Sequence, residues 1–380
     1  MKKHYRGHVE GLTIHKFSRV NAGIRLKAEF YERRLDRFAE RLRASSVDAV
    51  LLQSPANNMY LTGFAGGVLF IASDGTGTIF STNPVSTPLV GRLEVVEKLG
   101  RRDAFALALD YLGNRRMTLG YDTLSFENYQ QLIRTAPSTS LVSVKEVLYE
   151  LRQVKSPEEL ELLRKGAEIA STALDVAREV ITLGTTSSDI RRAIADNVYR
   201  SGAELVSNPH IAIGEDTFLH TSSHPNKSIK KGQPVMIRVG VRVEGYTAVI
   251  SRTLYYGDNP PDKFVKDYNS LMQLKETIRA ALSPWSSAVS VYDRCRAAAL
   301  ELRLEPSTLT IFGRGVGVEA EEPPMLTAGS SDIIRENTIV SIGPDLLLYG
   351  RYGISDTDMY HVTSSGTKPL TDAEHVLALD

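Results

Sequence analysis

The chain has 380 residues, and its 45 Lys+Arg balance 45 Asp+Glu, so the formal net charge is zero. A neutral chain has no global field to draw nucleic acid or an anionic membrane, and 42% hydrophobic with 24% charged residues is the balance of a folded globular protein, not a disordered one. The single cysteine, Cys295, supports neither an intramolecular disulfide nor a cysteine-based zinc site.

Residues 1–26 are basic and polar and lack the apolar run of a signal peptide. They read as a loosely held arm. No stretch approaches 18 consecutive apolar residues, so no membrane-spanning helix is expected. With one cysteine and no such segment, the expected setting is the reducing cytoplasm.

From Leu26 to Ser45 apolar residues recur at Phe30, Leu35, Phe38 and Leu42 among charges, which predicts an amphipathic helix. Short strands are predicted at Asp48–Leu52, Val68–Ala72 and Thr76–Ser81, with Asp74-Gly75 as the hairpin between the last two. A strand at Met117–Gly120 and a helix at Phe126–Thr135 complete a small α/β domain, residues 27–142. A helical connector over 143–183 follows. Ser156-Pro157-Glu158-Glu159 is its capping box with proline at the first helical position, and Gly184 is its stop.

Beyond 185 the pattern predicts a helix at Ser188–Arg200, strands at Pro234–Val241 and Gly245–Tyr255, and helices at Asp262–Ala281 and Ser290–Leu302. Strands return at Ile339–Ser341 and Asp356–Ser364. This is an α+β domain with antiparallel strands, spanning 143–380 with its connector.

Three stretches resemble the creatinase / aminopeptidase P / prolidase superfamily: NNMYLTGFAGG at Asn57–Gly67, LYELRQVKSPEELELLRKGAEI at Leu148–Ile169, and KKGQPVMIRVGVRVEGYTAVISRT at Lys230–Thr253. The last is followed by FGRGVGVEAEEP at Phe312–Pro323 and by Ile339–Thr363. Their order and separation follow the superfamily layout from about residue 27 to 370. The resemblance implies an α/β N-terminal domain, a pita-bread C-terminal domain and a homodimer. It also implies a hydrolase of C–N bonds that holds two metal ions with two Asp, one His and two Glu.

Carried over residue by residue, those five ligands fall on Arg238, Val249, Arg314, Gly343 and Thr357. Valine and glycine donate nothing to a metal, and two arginines bring fixed positive charge to a place meant for cations. The expectation is therefore a degenerate member with no metal and no other cofactor, binding a small carboxylate-bearing or peptide-like ligand, or a protein partner. A guanidinium fork suits a carboxylate, so Arg238 and Arg314 are the candidate binding residues, with Glu321 and Asp356 as their expected ion-pair partners.

The resemblance also places pocket histidines near His220 and His224. His220 is the candidate acid–base residue of a metal-independent, creatinase-type alternative, whose two glutamates are unmatched at Ser251 and Gly343. His210 and Glu321 are further candidate pocket residues. An active Xaa-Pro peptidase would require all five replacements to be misaligned.

Overall fold

The computed structural model describes residues 26–82, 91–97, 103–219, 226–304 and 311–379. Of the expected N-terminal arm only Leu26 lies among them, and it is buried.

The N-terminal sheet has six strands in the order β4-β3-β2-β1-β5-β6. These are β1 (Ala49–Leu52), β2 (Val68–Ala72), β3 (Gly77–Ser81), β4 (Leu93–Glu97), β5 (Thr118–Tyr121) and β6 (Ser140–Ser143). β1 pairs antiparallel with β2 and parallel with β5. Its side chains alternate between two cores: Val50 and Leu52 join the one shared with α1 (Ala28–Ala44), while Ala49 and Leu51 join the one under α3 (Ala104–Leu112). A strand covered on both faces reads as a continuous apolar run, which is what AVLL is. β4, β6 and α3 were not foreseen. The Asp74-Gly75 turn closes the β2–β3 hairpin, with Ala72 N–H donating to the Thr76 carbonyl at 2.8 Å.

The Asn57–Gly67 stretch holds more helix than turn. α2 (Pro55–Thr62) starts at the Ser54 cap and ends at Gly63, whose φ of 76° glycine adopts without penalty. α4 (Phe126–Thr135) then crosses from β5 to β6.

The expected single connector is two helices, α5 (Lys145–Gln153) and α6 (Pro157–Glu179). Ser156 caps α6 in the expected box, its side chain accepting from Glu159 N–H while the Glu159 carboxylate accepts from Ser156 N–H at 2.9 Å. α6 ends at Glu179, four residues before Leu183. α7 (Ser187–Arg200) has its own box, Thr186 with Asp189.

The C-terminal part carries two five-stranded sheets. In the first, β9 (Gln233–Val243) and β10 (Tyr246–Tyr256) pair over their full length, flanked by β7 (Glu204–Leu205), β8 (His210–Ile213) and the terminal β18 (Ala378–Leu379). α6 lies across β9 and β10, so one apolar core runs from α1 through β1 and α6 into this sheet. In the second, β11 (Gly313–Gly315), β12 (Glu322–Met325), β13 (Ile339–Ile342), β16 (Asp358–Thr363) and β17 (Gly366–Pro369) pack against α8 (Asp262–Ala281) and α9 (Ala288–Glu301). A small hairpin, β14 (Asp345–Leu348) with β15 (Tyr352–Ser355), stands between them.

Two buried ionic groups tie the N-terminal elements to the C-terminal ones. Arg34 of α1 sits between the Phe30 and Tyr60 rings, 4.0 and 3.8 Å from their centroids. It pairs with Glu159 at 2.6 Å and donates to the Tyr246 hydroxyl. Arg152 of α5 donates to Asn57 Oδ1 at 2.8 Å and pairs with Glu319 and Glu322, while Lys155 reaches Glu322 at 2.8 Å.

Candidate functional site

The site begins with a two-residue turn. Glu244 and Gly245 both have positive φ, 46° and 86°, which joins β9 to β10 tightly and fixes their register. Arg238 thereby stands opposite Ser251, and Gly240 opposite Val249. Side chains alternate along a strand, so Arg238, Gly240, Val249 and Ser251 share one face, while Ile237, Val239 and Val241 turn into the core. β8 adds His210 directly opposite Arg238 on the other side of β9.

The second sheet supplies the facing wall. β11 holds Arg314 between two glycines that cannot be replaced. A Cβ at Gly313 would lie 2.8 Å from the Ser341 carbonyl oxygen, and one at Gly315 would lie 2.3 Å from the Pro323 carbonyl oxygen. Arg314 pairs in register with Ser341 of β13, and Gly343 follows at the strand's end. Thr357 reaches the site through an isolated bridge to Ser251, with N–H to carbonyl bonds of 3.2 and 3.1 Å in both directions.

These elements enclose one cavity of about 500 Å³, within the size range of small-molecule sites. Arg238, Val249, Arg314, Gly343 and Thr357 all line it, with His210, Glu321, Ser251, Ser341 and Asp345. Its floor is hydroxylic: Ser251 Oγ lies 2.8 Å from both Thr357 Oγ1 and Ser355 Oγ. Arg314 is paired with Glu321. Arg238 has Asp345 at 3.0 Å from Nη2, but off the hydrogen-bond direction, so its Nε and Nη2 are buried without an acceptor among the described residues.

Asp356 is not a partner of these arginines, which corrects the sequence expectation. It faces the other way with Asp358, because Thr357 between them points into the cavity. Asp356 and Asp358 are buried against Lys275 and Arg252, and His375 lies 3.0 Å from Asp356. Burial pushes both carboxyls up. For Asp356 the His375 hydrogen bond, Lys275 and Arg252 outweigh it, and for Asp358 Lys275 and Arg252 do, so both titrate below the ordinary carboxylate range. Burial pulls Arg252 down, and the two aspartates more than restore it.

His220 and His224 lie outside the described residues, so the creatinase-type alternative gains no geometry here. Among the described residues, the one group of three metal-capable side chains with converging donor atoms is Asp356, Asp358 and His375. Its carboxylates already carry two cations. Asp345 and the Asp356–Asp358 cluster were the functional-looking features that sequence reading missed or misplaced.

The pattern of metallopeptidase family M24 matches residues 161–364, and that of the creatinase/prolidase N-terminal domain matches residues 34–154. The chain belongs to metallopeptidase family M24. It is 25% identical over 348 residues to an Xaa-Pro dipeptidase of Pyrococcus furiosus, covering 90% of this chain and 99% of that one. The corresponding figures for an Xaa-Pro dipeptidase of Pyrococcus horikoshii are 25% over 349 residues, 90% and 98%. A crystal structure of prolidase from Pyrococcus horikoshii superposes with a TM-score of 0.80 at 23% identity, covering 90% of this chain and 99% of that chain. The dipeptidase PepE of Mycobacterium ulcerans gives 0.82 at 20%, with 93% and 99% covered. The fold is thus a creatinase-type N-terminal domain followed by a pita-bread C-terminal domain, in a prolidase-like M24 chain. Among the described residues no helix is long and apolar enough to cross a membrane.

Proposed function

We propose that this M24 chain does not hold a dinuclear metal centre and that its central cavity binds a small carboxylate-bearing ligand. One observation carries the reading. The five positions at which the superfamily resemblance puts metal ligands surround a single cavity, and they hold arginine, valine, arginine, glycine and threonine.

The residues present do not fit two divalent ions. Oxygen and imidazole donors are what such ions require, and the cavity's remaining candidates, His210, Asp345 and Glu321, do not converge as a group of three. Each guanidinium stands beside an acid, so the lining offers no net negative charge to hold two divalent cations. Packing argues the same way. A Cβ at Gly343 would lie 1.9 Å from Thr357 Oγ1, so Thr357 fills the space a ligand side chain at 343 would need. Guanidinium groups and hydroxyls, by contrast, are donors suited to a carboxylate.

The protein is also taken to be homodimeric, as the superfamily resemblance implies, and cytoplasmic, as its single cysteine suggests. The test is elemental analysis after loading with manganese or cobalt, alongside an Xaa-Pro dipeptide hydrolysis assay. The expected result is no stoichiometric metal and no hydrolysis. Two ions per chain with metal-dependent cleavage would overturn the reading.

A further inference from the structure

The two edges of the N-terminal sheet are built differently. At one edge β4 reads LEVVE, with Glu94 and Glu97 exposed on it. Charged side chains on an edge strand keep a second strand from pairing with it. At the other edge β6 reads SLVS, with no charge and no proline. It pairs with β5 and, among the described residues, with no other strand. Ser140, Val142 and Ser143 are exposed on it.

The helix beside this unguarded edge is apolar where it faces outward. Leu132 of α4 packs into the core under α3. Asn128 donates to Gln53 Oε1 at 2.7 Å, just past the end of β1. β1 lies on the inner side of β5, so Asn128 marks the inward flank of the helix. At 3.6 residues per turn, Phe126, Tyr129 and Ile133 fall within about 60° of one another on the other flank, beside the β6 edge. They are 72%, 42% and 42% exposed. Exposed apolar side chains gathered on one stripe mark a surface that a partner covers, whereas scattered ones do not.

The charges say which partner. α4 carries one acid and one base, Glu127 one residue in from its start and Arg134 one residue in from its end, and both are exposed. A two-fold axis perpendicular to the sheet sets α4 antiparallel to its own copy, so that each Glu127 stands level with the partner's Arg134. The same axis sets β6 antiparallel to its copy, an arrangement in which two edge strands can exchange backbone hydrogen bonds. The face is therefore complementary to itself in its strand edge, its apolar stripe and its charges.

We infer, resting on the homodimeric reading, that the β6 edge and the outward flank of α4 form a two-fold interface whose occupant is a second copy of this chain. The test is sedimentation equilibrium of the full chain and of surface variants. The wild type should be a dimer. Phe126→Glu with Ile133→Glu puts charge on the apolar stripe, and Glu127→Arg or Arg134→Glu alone sets like charges against each other. Each should raise the dimer dissociation constant by about 10-fold or more. Glu127→Arg combined with Arg134→Glu should bring it back toward the wild-type value, which damage to the fold would not do. All four substituted side chains are exposed, and the combined charge swap keeps the test informative if a single variant fails to fold. A dimer that none of these changes weakens would overturn the α4–β6 face and leave the homodimeric reading standing on another surface. Failure of the charge swap to restore association would overturn the two-fold pairing. A wild type that stays monomeric at every concentration would end both.

Discussion

Gly343 and Thr357 act as one unit at the bottom of the cavity. Gly343 does not need a left-handed backbone; what it supplies is the absence of a side chain. With Thr357 Oγ1 at 1.9 Å and Thr357 Cβ at 2.6 Å from a Cβ built there, Gly343→Ala forces a threonine on packed backbone to shift. Overpacking of this kind costs about 1–3 kcal/mol. In a Thr357→Gly background the same change should cost markedly less, so a double-mutant cycle read by chemical denaturation should show a coupling on the order of 1 kcal/mol or more. Additive effects would mean that the two positions do not share one space. Much of this site was legible in the sequence, because the motif intervals that put Arg238, Val249, Arg314, Gly343 and Thr357 in order also describe residues that line one cavity. The error over Asp356 was legible too. With Thr357 pointing into the cavity, the two-residue period of an extended chain turns Asp356 and Asp358 away. Asp345 was hidden for a different reason: it opens β14, whose pairing with β15 has no turn signature strong enough to place it.

At the scale of elements, the start of α6 shows a capping box with two duties. One oxygen of Glu159 accepts from the Ser156 N–H, while the other receives Arg34 and the Tyr246 hydroxyl, the latter at 3.0 Å. The box itself was readable from Ser156-Pro157-Glu158-Glu159, but its second duty was not, since Arg34 is 125 residues away in sequence from Glu159. Losing the cap alone should be modest. Ser156→Ala is expected to cost about 1 kcal/mol. Glu159→Gln removes a buried charge that offsets a buried arginine, and breaking such a pair costs about 3–5 kcal/mol. Denaturant midpoints of the two variants should therefore differ severalfold in their displacement from wild type. Equal displacements would show that Glu159 serves only the helix end. The break at Val154–Ser156, where the sequence suggested one continuous connector, has a role in the same lock. It lets α5 present Arg152 and the break itself present Lys155 toward Glu322 while α6 presents Glu159 toward Arg34.

Over the whole molecule, acid should act at the joints between its parts. Glu322 of β12 is buried, and burial alone would raise its carboxyl. Lys155 and Arg152 outweigh that and hold it below the ordinary range. Asp356 and Asp358 are depressed as well. In the unfolded chain these groups recover ordinary values of about 4. Depressed folded values mean that the folded state binds fewer protons, so the stabilisation is complete above the unfolded value and is lost as pH falls toward the folded ones. Melting temperature should thus be flat through neutral pH and fall steeply below about pH 4–5. Glu322→Gln should lower stability at neutral pH by about 3–5 kcal/mol, because Arg152 and Lys155 lose a buried partner. It should also shallow the acid limb, because one of the depressed carboxyls is gone. A merely structural loss would shift the whole curve down without changing that limb. The altered slope is therefore the decisive reading in a melting series from about pH 3 to 8, the window in which these carboxyls take up protons. An unchanged slope would mean that the α5–β12 joint contributes nothing to acid sensitivity.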